Sequence, residues 1–300
     1  MFSVIIPTYN RKETLRKCLE ALLAQTYPIT ECEIIVVDDG SQDDTRSIVE
    51  QIRESGGIDL KYFYQDNRGP SAARNVGIRS ATKEYLLFLG DDIIAAKDLL
   101  QQHANWHRRN PKEEVAVLGY VTWSPELEVD SFMRWLINGG PQNMFYRIEN
   151  QLEVKEVGFM ESANLSLKRS LLQRVGGFDE SLRLFENLEL ESRLRDVGMR
   201  LLYNKSAIGF HYHRVTVEAA IVRWRQLKGE RAKLYQKRPE LIPPLEPRKG
   251  LKPLLRPLWR NKLVVEILKR LAKILGGNYR MATLLYPRIF SYYAVKGESR

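Results

Sequence analysis

The sequence predicts an α/β fold with a largely parallel sheet flanked by helices, and three observations lead there. Over roughly the first 120 residues, short apolar runs alternate with segments of helical spacing, the order that β-α-β units produce. Polar motifs recur at the carboxyl ends of those runs, where open α/β sheets bind their ligands. The basic residues are concentrated in the last quarter of the chain, leaving a mildly acidic front and a tail of different character.

Taken in order, Ser3–Pro7 is a short apolar run and reads as the first strand. Thr14–Gln25 places Leu15, Leu19, Leu22 and Leu23 on one helical face. Glu33–Val37 is β-branched and stops at Asp38-Asp39-Gly40, after which Thr45–Ile52 reads as a helix. Leu60–Tyr64 is a third strand, Ser71–Ala81 a helix, and Tyr85–Leu89, apolar throughout, a fourth strand. The polar ends are Thr8-Tyr9-Asn10, Asp38-Asp39-Gly40 and Asp91-Asp92. From about Pro125 to Glu156 the periodicity weakens and Phe132, Trp135, Phe145 and Tyr146 appear, so a loop with a short helix is expected, a lid or acceptor wall. Gly158–Leu167 is expected to form a strand, followed by a helix from Lys168 that Gly176-Gly177 ends as a glycine C-cap does. Leu188–Val197 and Thr216–Gln236 read as helices, and the proline-rich Pro239–Pro257 as a linker. Leu263–Leu275 is amphipathic, with Leu263, Ile267, Leu268, Leu271, Ile274 and Leu275 opposed by Lys262, Lys269, Arg270 and Lys273.

With 300 residues, 44% of them apolar and 28% charged, the chain has the composition of a soluble globular protein. Cys18 and Cys32 lack zinc-ligand spacing and are expected to be free thiols in a reducing compartment. Met1–Pro7 has no basic n-region, and no run approaches the roughly 20 apolar residues that span a bilayer. The expected location is therefore cytoplasmic. Of the net charge of +10, Arg223–Arg300 holds 20 Lys and Arg against 5 Asp and Glu, whereas the rest holds 27 against 32.

Asp91 and Asp92 follow the run YLLFL and Gly90, so two carboxylates emerge from a buried strand onto an open edge. Mg²⁺ and Mn²⁺ prefer carboxylate oxygens and are commonly held by one or two of them together with substrate phosphates. Such a cation offsets the charge that builds on a departing diphosphate. An Asp-Asp turn that caps the following segment is the competing reading. A dinucleotide-dependent oxidoreductase is excluded because no GxGxxG occurs. Nucleotidyl transfer wants a glycine-rich basic loop after the first strand, which PTYNRKET does not provide.

PTYNR (7–11), VVDDGSQDDT (36–45), NRGPSAARNVG (67–77) and FLGDD (88–92) follow one another in order. Together they resemble family two of the glycosyltransferases, the inverting, nucleotide-sugar-dependent group with the GT-A fold. GGFDESL (176–182), FENLELESRL (185–194) and AIGFHYH (207–213) extend the likeness to about residue 235. The resemblance implies a GT-A domain over 1–238, with a nucleotide-binding half at 1–122 and an acceptor and catalytic half at 123–238. Residues 239–300 would be a linker plus a basic helical extension. It implies that Pro7, Thr8 and Tyr9 lie against the nucleotide base and that Asp38-Asp39 reads the base edge. Asp39 is favoured as the reader, and a uracil or thymine suits it, although guanine also offers a ring N–H. Arg74 matches a position near base and phosphate, where a guanidinium makes paired hydrogen bonds; a surface arginine is the alternative.

The family's metal motif usually reads Asp-x-Asp. Here Gly90 stands first, so the resemblance makes Asp92 the metal ligand and gives Asp91 the ribose or donor sugar. His211 and His213 fall where similar enzymes place a histidine near the diphosphate. Two-residue spacing on a strand puts both on one face, so either can serve, and plain packing remains the other reading. The catalytic base in similar enzymes is the Asp of a Glu-Asp pair opening the 188–197 helix. This chain has Glu186-Asn187, and an amide cannot take the acceptor's proton. Three readings stay open: Glu186 (first choice) or Glu189 acts instead, the chain binds nucleotide sugar or glycan without turnover, or the active position is offset.

The resemblance thus implies transfer from a UDP- or dTDP-type sugar to a glycan or lipid-linked acceptor hydroxyl, with inversion and with Mn²⁺ or Mg²⁺. The basic amphipathic tail suits an anionic membrane surface, peripherally on its inner face. Packing of that helix on the front domain or on a second subunit competes with this. Nucleic acid is not expected as a partner, since no recognised module accompanies the charge.

Overall fold

The computed structural model describes residues 1–138, 140, 144–242, 261–275 and 279–296. In chain order the elements are β1 (Phe2–Thr8), α1 (Lys12–Leu23), β2 (Glu33–Asp38), α2 (Thr45–Glu54), β3 (Asp59–Tyr64), α3 (Pro70–Ser80), β4 (Tyr85–Leu89), β5 (Ile93–Ala95), α4 (Leu99–Arg109), β6 (Val115–Trp123), α5 (Ser131–Ile137), β7 (Glu153–Val154), β8 (Asn164–Lys168), α6 (Arg169–Val175), α7 (Glu186–Asp196), β9 (Arg200–His211), α8 (Val217–Lys237), α9 (Lys262–Leu275) and α10 (Tyr279–Lys296). Two compact units divide the chain: 1–127 with 147–213, and 128–146 with 214–300.

The first unit holds the whole sheet, in the order β3-β2-β1-β4-β8-β6-β9-β5 with β7 beside β9. β3, β2, β1 and β4 are mutually parallel, as the alternation of runs predicts. β2 and β4 are buried along their full length, which is why they read as unbroken apolar runs. α3 lies close on β1 because Gly77 has no side chain: a Cβ there would stand 2.4 Å from Ile5 Cγ2. Beyond β4 the sheet turns antiparallel through β8, then pairs β6 with β9 in parallel. These registers set Thr8 opposite Asp38, Leu89 opposite Asn164 and Ile93 opposite His211, bringing several strand ends to one edge. Cys18 and Cys32 are buried free thiols.

Two expectations need correction here. The strand expected over Gly158–Leu167 begins only at Asn164, because the N–H groups of Gly158, Phe159 and Met160 donate to the Glu191 carboxylate instead of to a ladder. β9 ends at His211, so His213 lies past the strand and does not share its face by strand pleat.

α4 packs two histidines against the sheet. His103 meets Ser166 Oγ at 2.7 Å and Asn164 Oδ1 at 2.9 Å, and His107 meets the same Ser166 Oγ at 2.7 Å. Burial pushes His103 down to about 4 and His107 down to about 3, so both are neutral near pH 7. Their unfolded counterparts bind protons below about pH 6.5. Stability is therefore whole above that value and falls as pH drops from about 6.5 towards 4, at up to about 1.4 kcal/mol per histidine per pH unit. Urea denaturation at pH 7, 6 and 5 should show this acid-side loss, and His107→Phe should flatten the profile.

In the second unit, Phe132 and Trp135 of α5 stack with Phe290 of α10 at centroid distances of 5.6 Å, and Trp224 of α8 approaches the same ring at 4.6 Å. Phe132, Trp135 and Phe145 are buried rather than set out as an acceptor wall; only Tyr146 of that group is exposed. α9 buries Val265, Leu268 and Ala272 while Leu263, Ile267, Leu271 and Ile274 stay exposed. The linker expected at Pro239–Pro257 starts with a short turn at Pro239–Leu241, and residues 243–257 of it lie outside the described residues. No helix among the described residues is long and apolar enough to cross a membrane.

Candidate functional site

Three segments meet at the carboxyl edge of the sheet. Thr8, at the end of β1, donates to Asp91 Oδ2 at 2.9 Å. Arg11 spans both carboxylates of the next turn, 2.9 Å from Asp91 Oδ1 and 2.7 Å from Asp92 Oδ2. His211, at the end of β9, sets Nε2 3.4 Å from Asp92 Oδ2. Tyr212 N–H fixes the same turn through the Asp92 carbonyl at 2.7 Å. Asp91 and Asp92 are both buried. Burial first, and the Asp92 charge second, push the Asp91 carboxyl up to about 6, against the opposing pull of Arg11. The His211 ring is pushed down by burial, and its Nδ1 is buried with no hydrogen-bond partner.

Asp91 and Asp92 offer the carboxylate oxygens that Mg²⁺ and Mn²⁺ prefer, while in this structure the Arg11 guanidinium between them supplies the balancing charge. Among the described residues no cluster of three or more His, Cys, Asp or Glu side chains forms a cage that would hold a metal by itself. A cation here would rest on Asp92, with Asp91 and His211 at hand, and would take its remaining oxygens from a substrate, as Mg²⁺ and Mn²⁺ commonly do. Thr8 donates to Asp91 and is buried, so of the Thr8-Tyr9 pair it is Tyr9, 46% exposed, whose side chain is open to a ligand. Pro7 lies in β1, in register with Val37 of β2.

The Asp38-Asp39 pair organises the adjoining loops. Asp38 accepts from Ser41 N–H at 2.8 Å and from the Tyr62 hydroxyl at 2.7 Å. Asp39 accepts from Gln65 Nε2 at 2.6 Å and from the N–H groups of Arg68 and Gly69, both at 2.8 Å. Gly69 has φ of +96°, which a side chain would strain, and it opens α3. A carboxylate has about four acceptor positions, so Asp39 keeps little capacity beyond its loop. The Gln65 amide that it holds leaves Oε1 buried and unpaired, a second acceptor at the same place.

On α3, Arg74 reaches Glu186 at 3.2 Å and lies over the Phe178 ring at 5.2 Å, with Nε buried and unpaired. Phe185 enters α7 at φ +67°, a conformation bulky residues rarely adopt. Beyond it the candidate acids separate. Glu186 faces Arg74, whereas Glu189 is buried and clamped by Arg193 at 2.6 and 2.7 Å. Asn187 turns its amide to Glu161, Nδ2 to Oε2 at 3.2 Å. Sequence reasoning missed Arg11, Tyr62, Gln65 and Glu161. Arg11 lay inside the quoted PTYNR motif, but nothing local marks the others, whose partners are 24 or more residues away.

Comparison with known proteins follows the same lines. The family described as glycosyl transferase family 2 matches residues 3–176. Glycosyltransferase AglE of Haloferax volcanii is 30% identical over 233 residues, 76% of this chain and 72% of that protein. Validoxylamine A glucosyltransferase of Streptomyces hygroscopicus subsp. jinggangensis is 28% identical over 268 residues, which cover 82% of this chain and 63% of that enzyme, just under two thirds of its length. Among solved structures, the mannosyltransferase PcManGT of Pyrobaculum calidifontis, in complex with GDP-Man and Mn²⁺, superposes with a TM-score of 0.63 at 20% identity, covering 97% of this chain and 84% of that one. S. aureus TarS 1–349 in complex with UDP gives a TM-score of 0.57 at 20% identity, covering 98% and 89%.

Proposed function

The chain belongs to glycosyl transferase family 2 and has the GT-A fold, and on that premise we propose that it moves a hexosyl group from a nucleoside diphosphate sugar to an acceptor hydroxyl with inversion. The observation that carries this is the pair of buried carboxylates, Asp91 and Asp92, balanced by Arg11 at the carboxyl edge of the sheet. A diphosphate entering there meets a place built for charge pairing, and a Mn²⁺ or Mg²⁺ on Asp92 would offset the charge of the leaving phosphate. On this reading Arg74, with its unpaired Nε, would bind a phosphate or ribose oxygen. The exposed Tyr9 ring and the Asp39–Gln65 acceptors suit a pyrimidine of the UDP or dTDP type. GDP-Man is the ligand of PcManGT and UDP that of TarS, so both kinds belong in the test. Release of nucleoside diphosphate from a panel of UDP-, dTDP- and GDP-sugars, with and without Mn²⁺, is the experiment. Mn²⁺-dependent consumption of a donor is expected; binding without consumption would instead favour a nucleotide-sugar-binding protein that does not turn over.

We further propose a glycan or lipid-linked acceptor and peripheral docking on the cytoplasmic face of a membrane. The exposed row Leu263, Ile267, Leu271 and Ile274 on α9, beside Lys262 and Arg270, supports docking on anionic lipid. Each basic side chain near such a surface adds about 1 kcal/mol. Sedimentation with phosphatidylglycerol vesicles at low salt should fall when the four apolar residues become Ser. Equal sedimentation of both proteins would sink the proposal.

A further inference from the structure

We propose that Glu161 is the general base of this transfer, held in place by Asn187; the inference rests on the glycosyl-transfer reading above. Inverting transfer requires one carboxylate to take the acceptor hydroxyl's proton. In the first turn of α7, Glu186 is engaged by Arg74, Glu189 is clamped by Arg193, and position 187 carries an amide. That amide donates to a carboxylate that the resemblance does not supply, Glu161. The acid thus stands at 161 and its hydrogen-bond partner at 187.

The placement of Glu161 is built from both sides. Asn187 and Glu191 stand four residues apart on α7 and therefore share a face, and both land on the 158–161 segment. Glu191, fully buried, accepts the N–H groups of Gly158, Phe159 and Met160 at 2.8, 3.1 and 3.1 Å. On the other side the Gly90 N–H donates to the Ala163 carbonyl at 3.3 Å, continuing the antiparallel register that pairs Leu89 with Asn164. The segment bearing Glu161 is therefore anchored directly beside the turn that carries Asp91 and Asp92. Glu161 is half-buried rather than enclosed. An Asp at 187 would set two carboxylates in contact, each disfavouring the other's charge, whereas Asn187 gives the Glu161 carboxylate an N–H donor.

In the step itself, the Glu161 carboxylate accepts the hydroxyl proton while the acceptor oxygen forms its bond to the anomeric carbon. The bond from that carbon to the diphosphate oxygen breaks, and its electron pair leaves with the nucleoside diphosphate. Glu161 then releases the proton to solvent. Water can replace the acceptor, so donor hydrolysis reports the same step.

The test uses the full chain with the donor that the panel selects, measuring binding by calorimetry and both hydrolysis and transfer by nucleoside diphosphate release. Glu161→Gln should lower turnover by about 10² to 10⁴, with donor affinity and melting temperature unchanged and the acid limb of the pH–rate profile lost. The exchange Glu161→Gln with Asn187→Asp should recover part of that loss, which a purely structural role for Glu161 would not produce. Asn187→Asp alone should not exceed the wild type. Wild-type turnover by Glu161→Gln, or a rise in turnover with Asn187→Asp alone, would overturn the assignment. Failure of the wild type to bind any nucleotide sugar would instead strike the underlying reading, which binding measures separately from turnover.

Discussion

Asp92→Asn is expected to abolish the Mn²⁺-dependent gain in nucleotide affinity and to lower turnover by at least about 10²-fold, the size of losing several kcal/mol of charge stabilisation. The substitution keeps the shape of the side chain and removes its charge. Asp92 meets Arg11 at 2.7 Å and His211 at 3.4 Å, and its backbone carbonyl is tied to Tyr212, so the turn itself has independent support. Metal-free nucleotide binding and the melting temperature should therefore change little. Calorimetric titration of the variant with and without Mn²⁺ checks this. An undiminished Mn²⁺ effect would remove Asp92 from the site.

Glu191→Leu is expected to cost about 3 to 5 kcal/mol of stability, the usual size for breaking a buried ion pair. Three N–H groups of the 158–160 turn would lose their acceptor, and Arg195 its partner at 2.9 Å. For a domain of this size that corresponds to a fall of roughly 10 °C in melting temperature. Turnover measured well below the transition should fall too, because the turn that presents Glu161 loses one of its two anchors. Differential scanning calorimetry gives the first number. A change of only a degree or two would show that the Glu191 contacts do not hold the turn.

The parts of the fold legible in the sequence are those whose causes are local. β1, β2 and β4 are buried on both faces and so appear as continuous runs, and the motifs at their ends mark the ligand edge. The stretch from Ile93 to Trp123 was not legible, for three separate reasons. β5 is three residues long. α4 uses His103 and His107 at buried positions, so its apolar stripe looks broken. β6 carries Gly119 in mid-strand, where its register with β9 shifts. α10 was hidden by Pro287, which usually ends a helix and here sits inside one. The 158–163 segment shows the converse error, since it has the composition of a strand while a carboxylate 31 or more residues along takes the N–H groups of Gly158, Phe159 and Met160.

At the site the division is similar. Asp91, Asp92 and His211 come together as their positions at strand ends suggest. Asp39 sits at the expected edge, yet most of its acceptor capacity goes to Gln65, Arg68 and Gly69. Thr8 supports Asp91 instead of facing outward. What the sequence could not announce is which carboxylate stands beside Asn187, because that depends on how α7 lies on a turn 26 residues earlier.

The measurement that bears most directly on the central claim is calorimetric titration of the full chain with UDP-, dTDP- and GDP-sugars, in Mn²⁺ and in EDTA. The account predicts saturable one-site binding of at least one of these donors, markedly tighter in Mn²⁺ than in EDTA. Absence of binding by every donor in both conditions would contradict it.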